Sequence, residues 1–574
     1  MERKTFITST AALGAETLLN ALRPAQSRAM LAAGGKLPLQ SHTGSNGIPK
    51  PLQTESNDLS PYTGSWGDTQ LHHLLRRSMF GVPESQFIAA KALGSMNAVV
   101  AQLLAASDTT KVPLPPKFAS WLDNYPATGQ NTVDEVNIID LEAWKILQIE
   151  NWWFDQIAQE NLSLRQRMTL LWTNHFVIGS QTIFIAGYIY TYLMTCMANA
   201  LGNFKDLAYA ISIDPAMLVY LNGNQNFVFN GQSYANENYA RELMELFTLG
   251  INDPKSPPSQ PKPNYTETDI QNSARALTGW QPSIQAPFVG QFNPSLHDST
   301  AKTFLGHTGN FGLQDILNII FEQGTPQGYT SAYWVCQKLY EEFVYYVPNP
   351  SVIDAMATVM LAHNFEIVPV MQALLTSAHF YDANVIGAQL KSPAHFMGSL
   401  VREFALTYPA FDPTIPSPIS TDVNGYYTFG DPNPTLTIIS EILNLQGQEL
   451  LNPPNVKGWP GGHSWISTGT FDNREIYSYV ILNNALVNAA NNWDLAFNPD
   501  SYALQIANAN TLSSAGLSQT LEAESVGFTF GPREGGDLDT LIQGTYPNPK
   551  YQYNTLGVSN FAIYLSSLPE FQLF

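Results

Sequence analysis

The 574-residue chain is 44% hydrophobic and only 13% charged, and its 27 basic against 47 acidic residues give a formal net charge of −20. Phosphate backbones and anionic lipid both attract basic patches, so neither nucleic acid nor a charged membrane surface is an expected partner. Two cysteines, Cys196 and Cys336, are too few for a disulfide scaffold and lack zinc-binding spacing.

Residues 1–29 read as an export signal. Arg3-Lys4-Thr5-Phe6-Ile7 has a twin-arginine-like pattern with Lys in the second place. A weakly apolar stretch follows to Leu22, interrupted by Glu16, and Ser27-Arg28-Ala29 is a small-x-small cleavage pattern. This predicts a periplasmic or extracellular location. Residues 30–65, rich in Gly, Ser, Pro and Thr, read as a linker or loosely laid arm. The remainder, 66–574, reads as a large, mainly α-helical multi-helix domain with a minor β-hairpin and long Pro/Gly-rich loops. Its size predicts two lobes or a core with satellites, because single cores stop growing near about 250–300 residues.

Helical spacing begins at Gln70–Phe80, where Arg76 and Arg77 are either solvated or set against a buried carboxylate. Asn137–Glu160 is a long helical candidate. Ser163 then opens a capping box with Gln166, starting a helix that carries His175 on its apolar face. Burial favours the neutral imidazole, which can bind a metal or accept a proton. A core histidine satisfied by one backbone carbonyl is the equal alternative. No Asp, Glu, Lys or Arg occurs between Arg167 and Lys205. Interspersed Gln, Thr and Asn argue for a buried central helix near 183–201 rather than an integral membrane span. Cys196 falls in this run and reads as a buried thiol, a single disulfide staying open for an exported protein.

Ser233–Gly250 reads as one helix, capped by Ser233 or Asn236 and ended by Gly250 in the left-handed conformation. Tyr239, Ala240, Leu243, Leu246 and Phe247 share one side. Glu237, Arg241, Glu245 and Thr248 share the other, with Asn238 and Glu242 on the flank. A surface ladder of i, i+4 pairs is worth only about 0.2–0.5 kcal/mol per pair, so the face also reads as a presentation of carboxylates to a metal or substrate. Glu237 and Glu245 are about 12 Å apart along the axis and cannot share an ion, whereas Glu242 and Glu245 can. A Pro-rich loop, 251–264, follows. Thr266 caps a short helix with Asp269, stopped at Gly279. Residues 288–292 and 303–305 are expected to pair as a hairpin with His297 and Asp298 at its tip, where a His-Asp pair is also ordinary turn chemistry. Helical spacing returns over 313–381, 395–408 and 436–451. The loop 452–465 is rigid and holds Trp459, His463 and Trp465; exposed, such Trp stack on sugar faces, though burial under a loop is commoner. Short strands are expected within 525–553, and a final helix ends near Leu568.

Asn-Glu-Asn-Tyr-Ala-Arg-Glu-Leu-Met-Glu-Leu-Phe-Thr-Leu-Gly (236–250) resembles the signature of a bacterial family, the domain of unknown function 1800. Further matches follow in order: 73–81, Trp-Thr-Asn-His-Phe (172–176), Asp-Pro-Ala-Met-Leu (214–218), 265–270, 276–280, His297-Asp298 with Lys302, and Pro-Pro-Asn-Val-Lys-Gly-Trp-Pro-Gly-Gly (453–462). The resemblance covers about residue 66 to the C-terminus. It implies an exported bacterial protein and no settled activity. It also implies a neighbour, a protein of the domain-of-unknown-function 1501 (DUF1501) family, which resembles the alkaline phosphatase–sulfatase superfamily, as a partner that could carry the catalysis.

Phosphate-cradling glycines, HExxH, a nucleophile elbow and c-type haem attachment are all missing. The remaining parts are imidazoles and carboxylates, the ligand types of zinc, iron, manganese or calcium. Glu237, Glu242, His175, His297 and Asp298 are the catalytic candidates. Trp459, Trp465, Arg241 and Lys302 are the substrate-binding ones, and His175, Glu242 and Glu245 the ligands for a divalent metal ion. The expected activity is that of an exported, metal-assisted hydrolase of a polymer such as a polysaccharide. A non-catalytic envelope or binding protein is the alternative. His175, the polar flank of 237–245 and His297-Asp298 are expected to meet between helices, with Arg241 in a buried ion pair.

Overall fold

The computed structural model describes residues 51–105, 135–413, 430–488 and 493–499, with isolated stretches at 420–421, 427–428, 502 and between 559 and 573. The export-signal pattern, residues 30–50 and the strands expected within 525–553 lie outside the described residues.

The fold is mainly α-helical, with small two-stranded antiparallel hairpins as its only sheets among the described residues. Buried apolar side chains form one continuous cluster running from Leu52 to Phe571. The long helix Glu135–Ala158 packs on Pro434–Leu445 and Ala186–Ala198, and the helix Pro326–Phe343 packs on Pro350–Ala362. Residues 51–65, read from composition as part of a loose arm, bond repeatedly to the 376–382 turn. Tyr62 N–H donates to Thr376 O (2.9 Å), Ala378 N–H to Ser60 O (2.7 Å) and Glu55 N–H to the Asp382 carboxylate (2.7 Å).

Several local expectations hold. Asn236, not Ser233, caps the Glu237–Glu242 helix, because Ser233 is taken into a hairpin with Val228. Gly250 ends the segment at φ 72°, and a Cβ there would lie 2.8 Å from the Trp334 ring. Thr266 and Asp269 form the reciprocal cap. Arg76 meets Glu403 (3.5 Å), both almost fully buried, and both cysteines are buried free thiols.

Three expectations change. Gln166 makes no capping box with Ser163, because its side-chain oxygen accepts from Trp153 Nε1 (3.0 Å); the Glu160 carboxylate takes the Gln166 N–H instead. The apolar run breaks at Phe184 (φ 54°) into the helices Ser180–Ile183 and Ala186–Ala198. Among the described residues, no single helix is long and apolar enough to cross a membrane. The expected 288–305 hairpin is replaced by two. Gly290–Phe292 pairs with Trp280–Pro282, closed by the Ser283 hydroxyl, while Lys302–Phe304 turns back on His307–Gly309 through left-handed Leu305 and Gly306.

Candidate functional site

The helix Arg165–His175, the end of the 236–250 segment, the helix Pro326–Phe343, the 389–392 turn and the 453–465 loop surround an open cavity of about 420 Å³. The segment after Glu242 departs from α geometry, forming a π-helical turn at Leu243–Thr248. Such turns leave carbonyls without intrahelical partners and recur at functional sites. Here the N–H groups of both Leu249 and Gly250 return to Met244 O (3.0 Å each). The carbonyls of Leu246 and Phe247 point instead at neighbours: Trp334 Nε1–H donates to the first (2.8 Å) and His175 Nε2–H to the second (2.9 Å).

That bond fixes the His175 tautomer. The ring packs against Trp172, Phe176, Phe204 and Phe247. Burial holds it neutral, down at about 3, against the Phe247 carbonyl, which favours the charged form. Its Nδ1 lone pair belongs to a residue that lines the cavity and has no hydrogen-bond partner among the described residues. His175 is therefore a core histidine satisfied by a backbone carbonyl, with its other nitrogen left for the cavity.

Next to it, Asn174 clamps the 453–462 loop. Its carbonyl oxygen accepts from Trp459 N–H (2.7 Å), and its amide donates to Trp459 O (3.3 Å). This approach requires Gly458, at φ 80°, since a Cβ would lie 2.2 Å from the Asn174 oxygen. Trp459 and Trp465 are buried under the loop and line the cavity wall. Across from them, Trp334, Lys338 and Glu342 stand one turn apart on a single helix face. Lys338 lies 4.8 Å from the Trp334 ring and pairs with Glu341 (3.0 Å). Glu342 pairs with Arg167 (2.7 Å) at the cavity floor. Burial raises the Glu342 carboxyl, and Arg167 and Arg77 only partly oppose this.

Of the residues singled out from sequence, His175, Glu245, Trp459 and Trp465 converge on this cavity. Glu242 sits half-buried just outside it. Burial raises its carboxyl, the Glu245 charge adds to this, and Lys457 and Arg241 offset part. Among the described residues, no three His, Cys, Asp or Glu side chains are close enough to hold a metal ion, so His175, Glu242 and Glu245 are not gathered as a ligand set. The widened turn begins between the two glutamates, so their helical i, i+3 spacing does not carry through.

The others stay apart. Arg241 bridges Glu237 (3.2 Å) and Glu267 (2.5 Å) with 38% of its side chain exposed, so the buried pair expected for it does not exist. His297 and Asp298 do not reach His175. His297 Nδ1 is held by Thr278 O (3.0 Å), and the Asp298 carboxylate accepts from Arg275 Nε (2.8 Å). Burial alone would raise Asp298, but Arg275 and the Thr300 hydroxyl and N–H outweigh it and keep it at about 2. Lys302 spends its ammonium on the carbonyls of Asp298 and Thr300. This group ties the 297–302 loop to the end of the Glu267–Ala276 helix.

Sequence reading missed Arg167, Asn174, Trp334, Lys338, Glu342 and Lys457. Trp334, Lys338 and Glu342 lie at i, i+4 and i+8, a spacing that marks one helix face. Asn174 and Lys457 fall inside motifs already singled out for their neighbours, His175 and Trp459.

Comparison with known families matches residues 73–573 to the family described as Protein of unknown function (DUF1800). No curated protein and no solved structure matches the chain.

Proposed function

The chain belongs to the DUF1800 family, whose description carries no activity, and we propose from the cleft itself that the protein is an exported hydrolase of an extracellular polysaccharide. The observation that carries this reading is one open cavity formed by motifs almost 300 residues apart in sequence, with Trp334, Tyr346, Trp459 and Trp465 beside Glu245 and Glu342. Aromatic faces suit the apolar faces of sugar rings. Paired carboxyls are the groups most glycoside hydrolases use. The N-terminal pattern supports export.

His175 supplies a fixed, neutral hydrogen-bond acceptor from the wall, and Lys457, on the exposed loop, a cation at the rim. A non-catalytic polymer-binding protein, working with a DUF1501-type partner, is the second reading. It is favoured by the internal pairing of Lys338 with Glu341, which neutralises both charges at the cavity wall. Release of reducing ends from a panel of soluble neutral and acidic polysaccharides separates the two. The hydrolase reading expects release that Ile251→Trp, at the exposed mouth, abolishes. Binding without release supports the second reading.

A further inference from the structure

Glu342 differs from the other carboxylates of the cleft in how it is held. Arg167, almost fully buried, pairs with it, its Nη2 lying 2.7 Å from Oε1, while 28% of the Glu342 side chain remains exposed on the cavity it lines. Arg167 is itself fixed. Its Nη1–H donates to His395 Nδ1 (2.9 Å), and the Phe80 and Phe343 rings lie 5.2 and 5.8 Å from the guanidinium carbon. His395 is fully buried, and burial, with Arg167 as the next cause, keeps its ring far below its ordinary range and therefore neutral. The chain His395–Arg167–Glu342 thus ends in a carboxyl whose orientation is set from behind and whose open side faces the cleft. Glu341, next in sequence, is tied to Gln337 and Lys338.

We infer that Glu342 is the proton donor of the cleft, with Arg167 as its positioning residue, an inference that rests on the polysaccharide reading above. The Glu342 O–H proton passes to the bridging oxygen as the sugar carbon–oxygen bond breaks and its electron pair stays on the departing oxygen. A water molecule adds to that carbon, and its proton goes to the Glu245 carboxylate across the cavity. Proton return from Glu245 to Glu342 through solvent completes one hydrolysis. Arg167 lies against Oε1, leaving Oε2 to carry the proton. Burial supports this assignment, since it favours the protonated carboxyl above the ordinary 4.5 despite Arg167 and Arg77.

A structural ion pair would also place an arginine against Glu342, so two readouts are needed. In the first, the full-length wild type is labelled with a water-soluble carbodiimide and glycine ethyl ester across a pH series and mapped by mass spectrometry. Glu342 is expected to label at higher pH than surface glutamates. Labelling that tracks the surface glutamates, or never occurs, overturns the inference and needs no variant. In the second, Glu342→Gln is compared with wild type on a polysaccharide that the wild type cleaves. Reducing-end release should fall about 100-fold or more, with retention on that polysaccharide unchanged. Undiminished release by Glu342→Gln overturns the inference alone. A wild type that cleaves nothing in the panel overturns the hydrolase reading and this inference with it.

Discussion

Gly458 shows how little space the cleft allows. Its φ of 80° suits glycine, and the Asn174 oxygen occupies the place where a Cβ would go. Gly458→Ala must push Asn174 away and break its two bonds to Trp459, at a cost of about 2–4 kcal/mol. We expect a lowered melting temperature by calorimetry, together with a blue- or red-shifted tryptophan emission as Trp459 moves. Arg241 is the opposite case. Its partners Glu237 and Glu267 are at the surface, where pairs contribute little. Arg241→Ala should melt within about 1 °C of wild type, and a large loss would mean that the surface network matters more than its exposure implies. The carboxylate ladder was legible in the sequence because i, i+4 spacing is a local property. Its lack of burial was not, because Glu267, the stronger partner, comes from another helix.

At the scale of the element, the 236–250 segment was expected to be a single α-helix. Its cap at Asn236 and its stop at Gly250 were legible as residue-type signals. The π-helical turn between them was not, because it is stabilised from outside the segment. Trp334 and His175 supply the donors for the Leu246 and Phe247 carbonyls. Trp334→Phe keeps most of the apolar volume and removes one donor, so we expect a loss of about 1 kcal/mol. Hydrogen exchange should quicken at 246–250 and stay unchanged in the distant 227–234 hairpin. Equal exchange in both places would show that the turn holds without its partner. The two hairpins between 280 and 309 failed to emerge from sequence for a related reason. Each closes on a short turn, and the Ser283 side chain and left-handed Leu305 outweigh the longer-range pairing expected between 288–292 and 303–305.

Over the whole molecule, the buried titratable groups set an acid limit. Burial holds the rings of His72 and His175 down at about 3 and those of His73, His379 and His395 below their usual range. These rings are neutral when folded and take up protons on unfolding below about pH 6.5, so the unfolded chain binds more protons and stability falls with pH. Glu160 and Asp214 act in the opposite sense. Burial raises both to about 7, so the folded carboxyls protonate first and add stability as pH falls toward about 4. The two sets oppose each other between about pH 6.5 and 4. Below about pH 4 Asp298, held at about 2, joins the histidines in the destabilising sense, each group costing up to about 1.4 kcal/mol per pH unit. Urea midpoints should change gently down to about pH 4.5 and then drop steeply; a flat profile to about pH 3 would contradict buried neutral rings.

The helical class was legible from 3.6-residue periodicity, and part of the cleft from the motifs around His175, Glu245 and Trp459, but the wall carrying Trp334, Lys338 and Glu342 was not. The partition of those motifs was not. His175, Glu245 and Trp459 share a cavity, whereas His297, Asp298 and Lys302 lock a loop elsewhere, and sequence order carries no information on which distant segments meet. The claim that this cavity receives a polysaccharide is tested most directly by affinity electrophoresis in gels containing soluble neutral or acidic polysaccharides. The comparison is between wild type and Ile251→Trp, the native Ile251 side chain being 52% exposed on the cavity lining, where a larger ring narrows the opening. The account predicts that at least one polysaccharide retards the wild type and that Ile251→Trp restores its mobility. Unretarded migration of the wild type in every gel, or equal retardation of the blocked variant, would contradict it.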